Sequence, residues 1–227
     1  MNAFIQSLFS GHLAKVVPLL LDGLKYTLMA FCLTALFAVP LGLLLTFAYT
    51  SKSKILKKLV GGYVFLMRGT PLLLQLFFFY FALPFIPYIG PYVTMARMPA
   101  AIVAFSLNYA AYFAEIFRGG ILSVENGQWE AAAAIGLSPW QIKLHIVIPQ
   151  MFRISMPALI NELITLVKDS ALISTIAIDE ILSKTKRYVS TTGNIMPYLY
   201  AAVLYMIIIF ILTKILQRIE KKLSFEK

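Results

Sequence analysis

Residues Tyr26–Tyr49 read YTLMAFCLTALFAVPLGLLLTFAY and contain no charged side chain. A membrane-spanning helix needs about 20 consecutive, mostly apolar residues, and this run supplies them. Four further segments qualify: about Leu59–Leu83, Met98–Phe117, Ile154–Ile178 and Met196–Gln217. Pro40 and Pro71 fall inside spans, which a bilayer tolerates better than a soluble helix does. Composition agrees, because 60% of the 227 residues are apolar and only 13% charged. A soluble domain carries about 25% charged residues, and half that number cannot cover a surface facing water. An ordinary cytosolic domain, a disordered chain and a nucleic-acid-binding domain are therefore excluded, despite a formal net charge of +10. The single Cys32 excludes a disulfide framework and a multi-cysteine metal site. The expected fold class is an all-α integral membrane protein with five transmembrane helices in one compact domain.

The connections between spans set its orientation. Lys52, Lys54, Lys57 and Lys58 lie between the first two spans; Arg118, Lys143 and Arg153 lie between the third and fourth; Lys214, Arg218, Lys221, Lys222 and Lys227 lie at the end of the last span or beyond it. The other side holds Lys15, Lys25, Arg97, Lys184, Lys186 and Arg187, half as many. The excess of Lys and Arg marks the cytoplasmic side, so the C-terminus is expected inside and, with five spans, the N-terminus outside. The first residues do not read as a signal peptide, since the only early cation is Lys15 and the apolar run Val16–Leu21 leads into Asp22-Gly23-Leu24-Lys25. Phe4–Leu24 is expected as a short amphipathic helix lying in the interface, with a frayed terminus as the competing reading.

The longest cytoplasmic connection, about Arg118–Arg153, contains Gly127-Gln128-Trp129-Glu130-Ala131-Ala132-Ala133-Ala134-Ile135-Gly136-Leu137-Ser138-Pro139-Trp140-Gln141. Alanine has the highest helix propensity. Gly136 stands where a left-handed C-terminal cap belongs. Ser138 is a good N-cap, Pro139 fits the first helical position, and Gln141 completes a capping box. The expectation is a helix, a tight glycine turn and a second helix that stops near Pro149. Trp129, Ala131, Ala132 and Leu137 would leave apolar surface on this hairpin, and such a patch usually marks a docking site. The alternative is that the hairpin packs back on the spans or lies among the headgroups.

Glu130-Ala131-Ala132, then Gly136 and Ile146-Val147-Ile148-Pro149 resemble the EAA motif of permease subunits of ATP-binding cassette (ABC) importers, with Ile148 where leucine is usual. Arg68-Gly69-Thr70-Pro71-Leu72-Leu73-Leu74-Gln75-Leu76-Phe77 resembles the second span of the polar amino-acid permeases in that group. Leu107–Glu115 resembles their third span, and Lys168-Asp169-Ser170-Ala171-Leu172 their fourth. The four motifs occur in order over about Tyr26–Gln217. The resemblance implies a type I importer permease with the MetI-like fold, of the histidine, glutamine, arginine and cystine permease group, in a bacterial inner membrane. It implies that the hairpin contains a coupling helix seated in a groove of the ATPase, with Gln128, Trp129, Glu130, Ala131, Ala132, Gly136 and Leu137 at the contact. It also implies the partners: an ABC ATPase subunit that holds the ATP and Mg, a second permease that is either an identical copy or a sister chain, and an extracytoplasmic substrate-binding protein. Residues 1–25 would then form an extracytoplasmic segment, 26–217 the permease domain with its hairpin at 118–153, and 218–227 a cytoplasmic tail.

Charges within spans are costly and usually functional. Arg68 and Glu115 approach from the same side and, with Lys168, are candidates for structural ion pairs. Glu162 and Asp169 stand seven residues apart, so on a helix they share a face about 10 Å apart along the axis. Two acids on one face suit a cavity that receives a cationic group; alternatively Asp169 and Lys168 organise a helix end and Glu162 alone faces the cavity. The Gln75 amide can donate and accept, which suits an amino acid's two backbone groups. The resemblance implies that the second and fourth spans line the substrate path, which makes Thr70, Gln75, Asn161, Glu162 and Asp169 its candidate residues, with a polar and preferably cationic amino acid as cargo and glutamine or cystine as alternatives. An enzyme is not expected: His12 and His145 are far apart, and the sequence has no His-Glu-x-x-His, Gly-x-Ser-x-Gly or Walker A string. No metal or cofactor is expected on this chain. A self-contained channel or secondary transporter and an intramembrane transferase are the competing classes, and neither has a use for a capped cytoplasmic hairpin.

Overall fold

The computed structural model describes residues 2–88 and 90–223, and side chains from residue 13 onward except 89, 91 and 223. Every element among these residues is helical. Helix α1 spans Asn2–Tyr49 and α2 Lys54–Gly69; α3, Leu72–Phe77, runs on as a π turn at Phe78–Ala82 and a 3-10 turn at Leu83–Phe85. Next come α4 (Gly90–Val93), α5 (Arg97–Leu122), α6 (Asn126–Ala134) and α7 (Pro139–Ile142), the last joined by a π turn at Lys143–Val147 to α8 (Ile148–Asp169). A 3-10 helix at Ser170–Ile176, α9 (Ile181–Thr192) and α10 (Met196–Leu223) complete the described chain.

Among the described residues three helical stretches are long and apolar enough to cross a bilayer: Leu13–Tyr49, Arg97–Leu122 and Met196–Lys222. The broken pair Lys54–Gly69 and Leu72–Phe85 makes a fourth if read as one span. This is fewer than the five expected. Helix α8 is long enough, but Arg153, Asn161, Glu162, Lys168 and Asp169 make it too polar to qualify by composition. The second expected span is interrupted at Thr70-Pro71. Proline disfavours helical geometry in the residue before it, and Thr70 is extended, with φ −118° and ψ 146°.

The chain divides into two compact units. The first comprises Met1–Thr34, Leu72–Phe105 and Ile164–Leu212. Its core contains Val16 and Leu20 of α1, Ile181 of α9 and Ala201 of α10, with Leu24, Tyr188 and Leu204 around them. This corrects the reading of Phe4–Leu24 as a separate interfacial helix: α1 is continuous, and Val16, Leu20 and Leu24 pack into a protein core. The Asp22-Gly23-Leu24-Lys25 string does not break it, because Lys25 and Asp22 pair within the helix at 2.5 Å. Gly23 lies where a Cβ would come within 2.8 Å of the Glu180 carbonyl carbon and the Ile181 nitrogen, so α1 and the start of α9 meet backbone to backbone.

Glu180 caps α9. Its carboxylate accepts from the backbone N–H of Leu182 at 2.7 Å and Ser183 at 2.6 Å, and from the Tyr205 hydroxyl at 2.9 Å. The residue is fully buried. Burial pushes its carboxyl above the usual range and outweighs these hydrogen bonds. Lys184 reaches Asp22 of α1 at 2.7 Å and Asp179 at 3.5 Å, and Arg187 holds Asp179 at 2.5 Å. The hydrogen bond to Asp22 holds the Lys184 ammonium above its ordinary value.

The second unit comprises Ala35–Pro71, Ser106–Leu163 and Thr213–Lys227. Small side chains let its helices approach closely: Ala111 and Ala114 of α5 are buried against Val60 and Val64 of α2. Polar groups bond across these contacts. Thr46 donates to the Ala114 carbonyl at 3.1 Å, and Tyr63 donates to the Leu107 carbonyl at 2.5 Å. Asn108 donates to the Met67 carbonyl at 2.8 Å, satisfying one of the acceptors that the end of α2 leaves without a helical partner.

Candidate functional site

The hairpin at residues 126–147 lies wholly in the second unit. Its turn follows from its sequence. Gly136 sits at φ +84°, a conformation glycine adopts without steric penalty. The Ile135, Gly136 and Leu137 amides close the turn onto Ala131, Ala133 and Ala132 carbonyls. Ser138 caps α7 in a full capping box with Gln141, and Pro139 occupies the first turn. The second helix does not stop near Pro149, however. The Ile148 N–H bonds to the Lys143 carbonyl, closing the π turn that carries the chain into α8. The wider turn lets the helix continue through Pro149, which has no N–H to donate.

The two sides of the hairpin differ. Ala132, Ile142, Val147 and Val124 form a small core, with Trp129, Leu137, Ile121 and Ile146 packed on it. The expected apolar surface of Trp129, Ala132 and Leu137 is therefore reduced: Ala132 is buried in this core, and Trp129 and Leu137 are half-buried against it. The exposed side carries Gln128, Glu130, Ala131 and Gly136. It also carries Ile135 at 78%, Trp140 at 65% and Leu144 at 45% exposure. These last three escaped the sequence reading. Trp140 and Leu144 stand four apart, the spacing of one helix face, and that signal could have found them.

A second group surrounds Glu115 in the same unit. Glu115 accepts from Arg118 at 2.6 Å and lies 3.9 Å from Arg68. Arg68 also lies over the Tyr112 ring at 5.2 Å, and Arg118 over Tyr49 at 5.5 Å, contacts that favour a guanidinium. Lys168 is exposed and does not join this group.

The candidate substrate-path residues are divided between the units. Gln75 and Asp169 belong to the first, and Thr70, Asn161 and Glu162 to the second. Gln75 is buried on α3, which packs against the 3-10 helix that follows Asp169. Asp169 is the last residue of α8 and half-buried; the next residue, Ser170, is buried and donates to the Val167 carbonyl at 2.7 Å. Glu162 is half-buried, Asn161 exposed, and Thr70 is exposed with its hydroxyl donating to the Leu66 carbonyl at 2.8 Å. Helix α8 is unbroken from Glu162 to Asp169. Among the described residues no group of three or more His, Cys, Asp or Glu could hold a metal ion.

Bilayer-length apolar helices, a polar helix that passes into a 3-10 segment and a capped hairpin with exposed Ile135, Trp140 and Leu144 define a polytopic helical membrane protein. The chain belongs to the family of inner membrane components of binding-protein-dependent transport systems, whose family model matches residues 38–224. It is 38% identical to the L-cystine transport system permease protein TcyB of Bacillus subtilis (strain 168), over 91% of this chain and 87% of that protein. It is 36% identical to the arginine transport system permease protein ArtQ of the same organism, over 95% and 97%. A crystal structure of an amino acid ABC transporter with histidines contains a chain 31% identical, with a TM-score of 0.84 over 93% of this chain and 97% of that one. Membership makes the chain a non-catalytic transport subunit.

Proposed function

We propose that this chain carries a polar amino acid, preferably a cationic one, through the membrane into the cytoplasm. It is an amino-acid ABC importer permease, and ATP hydrolysis takes place on a partner ATPase. The observation that carries the reading is similarity along almost the whole chain to permeases named for amino acids. A path through the bilayer needs more wall than one such chain supplies. Two permeases, identical or sister chains, related by a two-fold axis would enclose it, with two ATPases on the cytoplasmic side and a substrate-binding protein outside. In this reading five spans put the C-terminus inside. Residues 1–25 form an extracytoplasmic segment, 26–217 the permease domain with its hairpin at 118–153, and 218–227 a cytoplasmic tail. Gln128, Glu130, Ala131 and Gly136 meet the ATPase, and Trp129, Ala132 and Leu137 hold their framework. ATP binding draws the ATPases together, the hairpins follow, and the permeases rock outward.

The cationic preference rests on Glu162 and Asp169. The two acids stand seven residues apart on the unbroken helix α8 and so share a face, and two carboxylates on one face attract a cationic group more than an anionic one. Thr70, Gln75 and Asn161 supply neutral hydrogen-bonding groups along the same path. The test is uptake of the twenty standard amino acids and cystine by the complete transporter, repeated with Glu162→Gln, together with ATP hydrolysis stimulated by loaded binding protein. Selective loss of lysine, arginine and histidine uptake is expected. Strong glutamate uptake, unchanged in the variant, would overturn the preference. Absence of stimulated hydrolysis with every ligand in an intact complex would overturn the importer reading.

A further inference from the structure

Three helix ends and the hairpin of the second unit enclose a cavity of about 450 Å³ that the transport reading does not use. Phe47, Tyr49 and Thr50 come from the end of α1, Lys57 from the start of α2, Arg118 and Leu122 from the end of α5, and Trp129, Lys143 and Ile148 from the hairpin and the start of α8. The volume falls within the range of about 300–1,000 Å³ typical of small-ligand sites. The lining is of two kinds. Lys57, Arg118 and Lys143 are cations on three separate elements, while Phe47, Leu122 and Ile148 form an apolar wall. Glu115 offsets Arg118, whose Nε and Nη2 donate to it at 3.1 and 2.6 Å. This pairing fixes the guanidinium, which still has further N–H groups to offer. Among the described residues no carboxylate lines the cavity.

We propose that this cavity binds the phosphate headgroup of an anionic phospholipid, with the acyl chains along the apolar wall. The chain leaves the apolar stretches α1 and α5 at Tyr49 and Leu122, so the cavity sits at the level where headgroups lie. Basic pockets at such levels select anionic lipids. A free inorganic anion would use the cations but gain nothing from Leu122, which is 68% exposed. A headgroup held by Lys57 and Lys143 ties the start of α2 to the π turn of the hairpin. Membrane lipid would then set how firmly the hairpin is held. In the orientation proposed above, that level belongs to the cytoplasmic leaflet.

The test uses the purified complete transporter in neutral detergent. It measures phospholipid retained per complex by mass spectrometry and the thermal midpoint during titration with phosphatidylglycerol, phosphatidylcholine or inorganic phosphate. Phosphatidylglycerol should be retained and raise the midpoint; the other two should do neither. Lys57→Gln with Lys143→Gln should weaken retention about tenfold, the effect of losing roughly one charge-assisted hydrogen bond. Lys221→Gln with Lys222→Gln, equal in charge and outside the cavity, should leave retention unchanged. Equal retention of phosphatidylglycerol and phosphatidylcholine, equal losses in the two double variants, or stabilisation by inorganic phosphate alone would each overturn the proposal. Should the cavity variant fail to fold, a photoactivatable phosphatidylglycerol supplies the decision on the unaltered protein: labelling at Leu122 or Trp129 supports the site, and labelling elsewhere only overturns it. None of these readings requires transport, so their failure is separable from failure of the importer reading.

Discussion

The start of α9 and the hairpin are both built from a capped helix beside a turn, yet they treat their side chains differently. At α9 the groups satisfy one another: Glu180 accepts three hydrogen bonds, Lys184 bridges Asp22 and Asp179, and Arg187 takes the rest of Asp179. In the hairpin only the inner side is closed, by Trp129, Ala132, Leu137, Ile142 and Val147. Its outer side leaves Ile135, Trp140 and Leu144 exposed. A region complete in itself serves stability. A region whose framework is closed but which leaves apolar side chains exposed on its outer side suits the partner contact proposed for it.

The hairpin gives the largest test of that contrast. Ile135→Asp with Trp140→Asp should lower ATP hydrolysis coupled to uptake roughly thirtyfold, since loss of a central aromatic anchor costs about 2 kcal/mol or more of binding. Being exposed, the pair should leave permease stability within about 0.5 kcal/mol per site. Ala132→Asp should do the reverse, removing about 3 kcal/mol of stability by placing a carboxylate in the small core. Coupling assays and thermal unfolding of the same samples check both. Unimpaired coupling in the outer variant would remove the contrast.

Backbone contact at α9 gives a smaller effect. Alanine in place of glycine inside a helix normally gains about 0.5–1 kcal/mol. Gly62→Ala, where a Cβ meets nothing within 4 Å, should show that gain. Gly23→Ala should instead lose about 1–2 kcal/mol, because its Cβ meets the Glu180 and Ile181 backbone. Equal thermal midpoints for the two variants would mean that α1 and α9 do not meet as closely as described.

The smallest effect is the pH dependence at Glu180. Its carboxyl is raised in the folded chain, so its contribution to stability is fully present below the ordinary carboxylate range and lost as pH rises through the raised value. Glu180→Gln keeps an acceptor but cannot ionise. The variant should show a flatter dependence of thermal midpoint on pH across that window, and an unchanged slope would place the raised group elsewhere.

Local chemistry was legible where neighbouring residues decide the outcome. Gly136, Ser138, Pro139 and Gln141 are read as a turn and cap because each solves a backbone problem within a few residues. The side of the hairpin that faces inward was not legible. Trp129 and Trp140 are equally apolar, and only the end of α5 and Val147 decide which is enclosed. Continuity of α1 was hidden too, because Asp22, Gly23 and Lys25 read as a stop until the close approach of α9 and the Asp22–Lys184 pair account for them. Glu180 escaped notice because a buried carboxylate becomes tolerable only when Leu182, Ser183 and Tyr205 bring donors to it.

The sequence by itself determined that this chain lives in a bilayer and how its hairpin turns and caps. It also determined which transport family the chain resembles, since composition, short-range sterics and motif spacing are properties of the chain alone. Tertiary structure decided which apolar side chains remain outside, which glycines mark backbone contact and which cations converge on one cavity. Those depend on residues distant in sequence being brought within a few ångströms, and no local pattern encodes that distance.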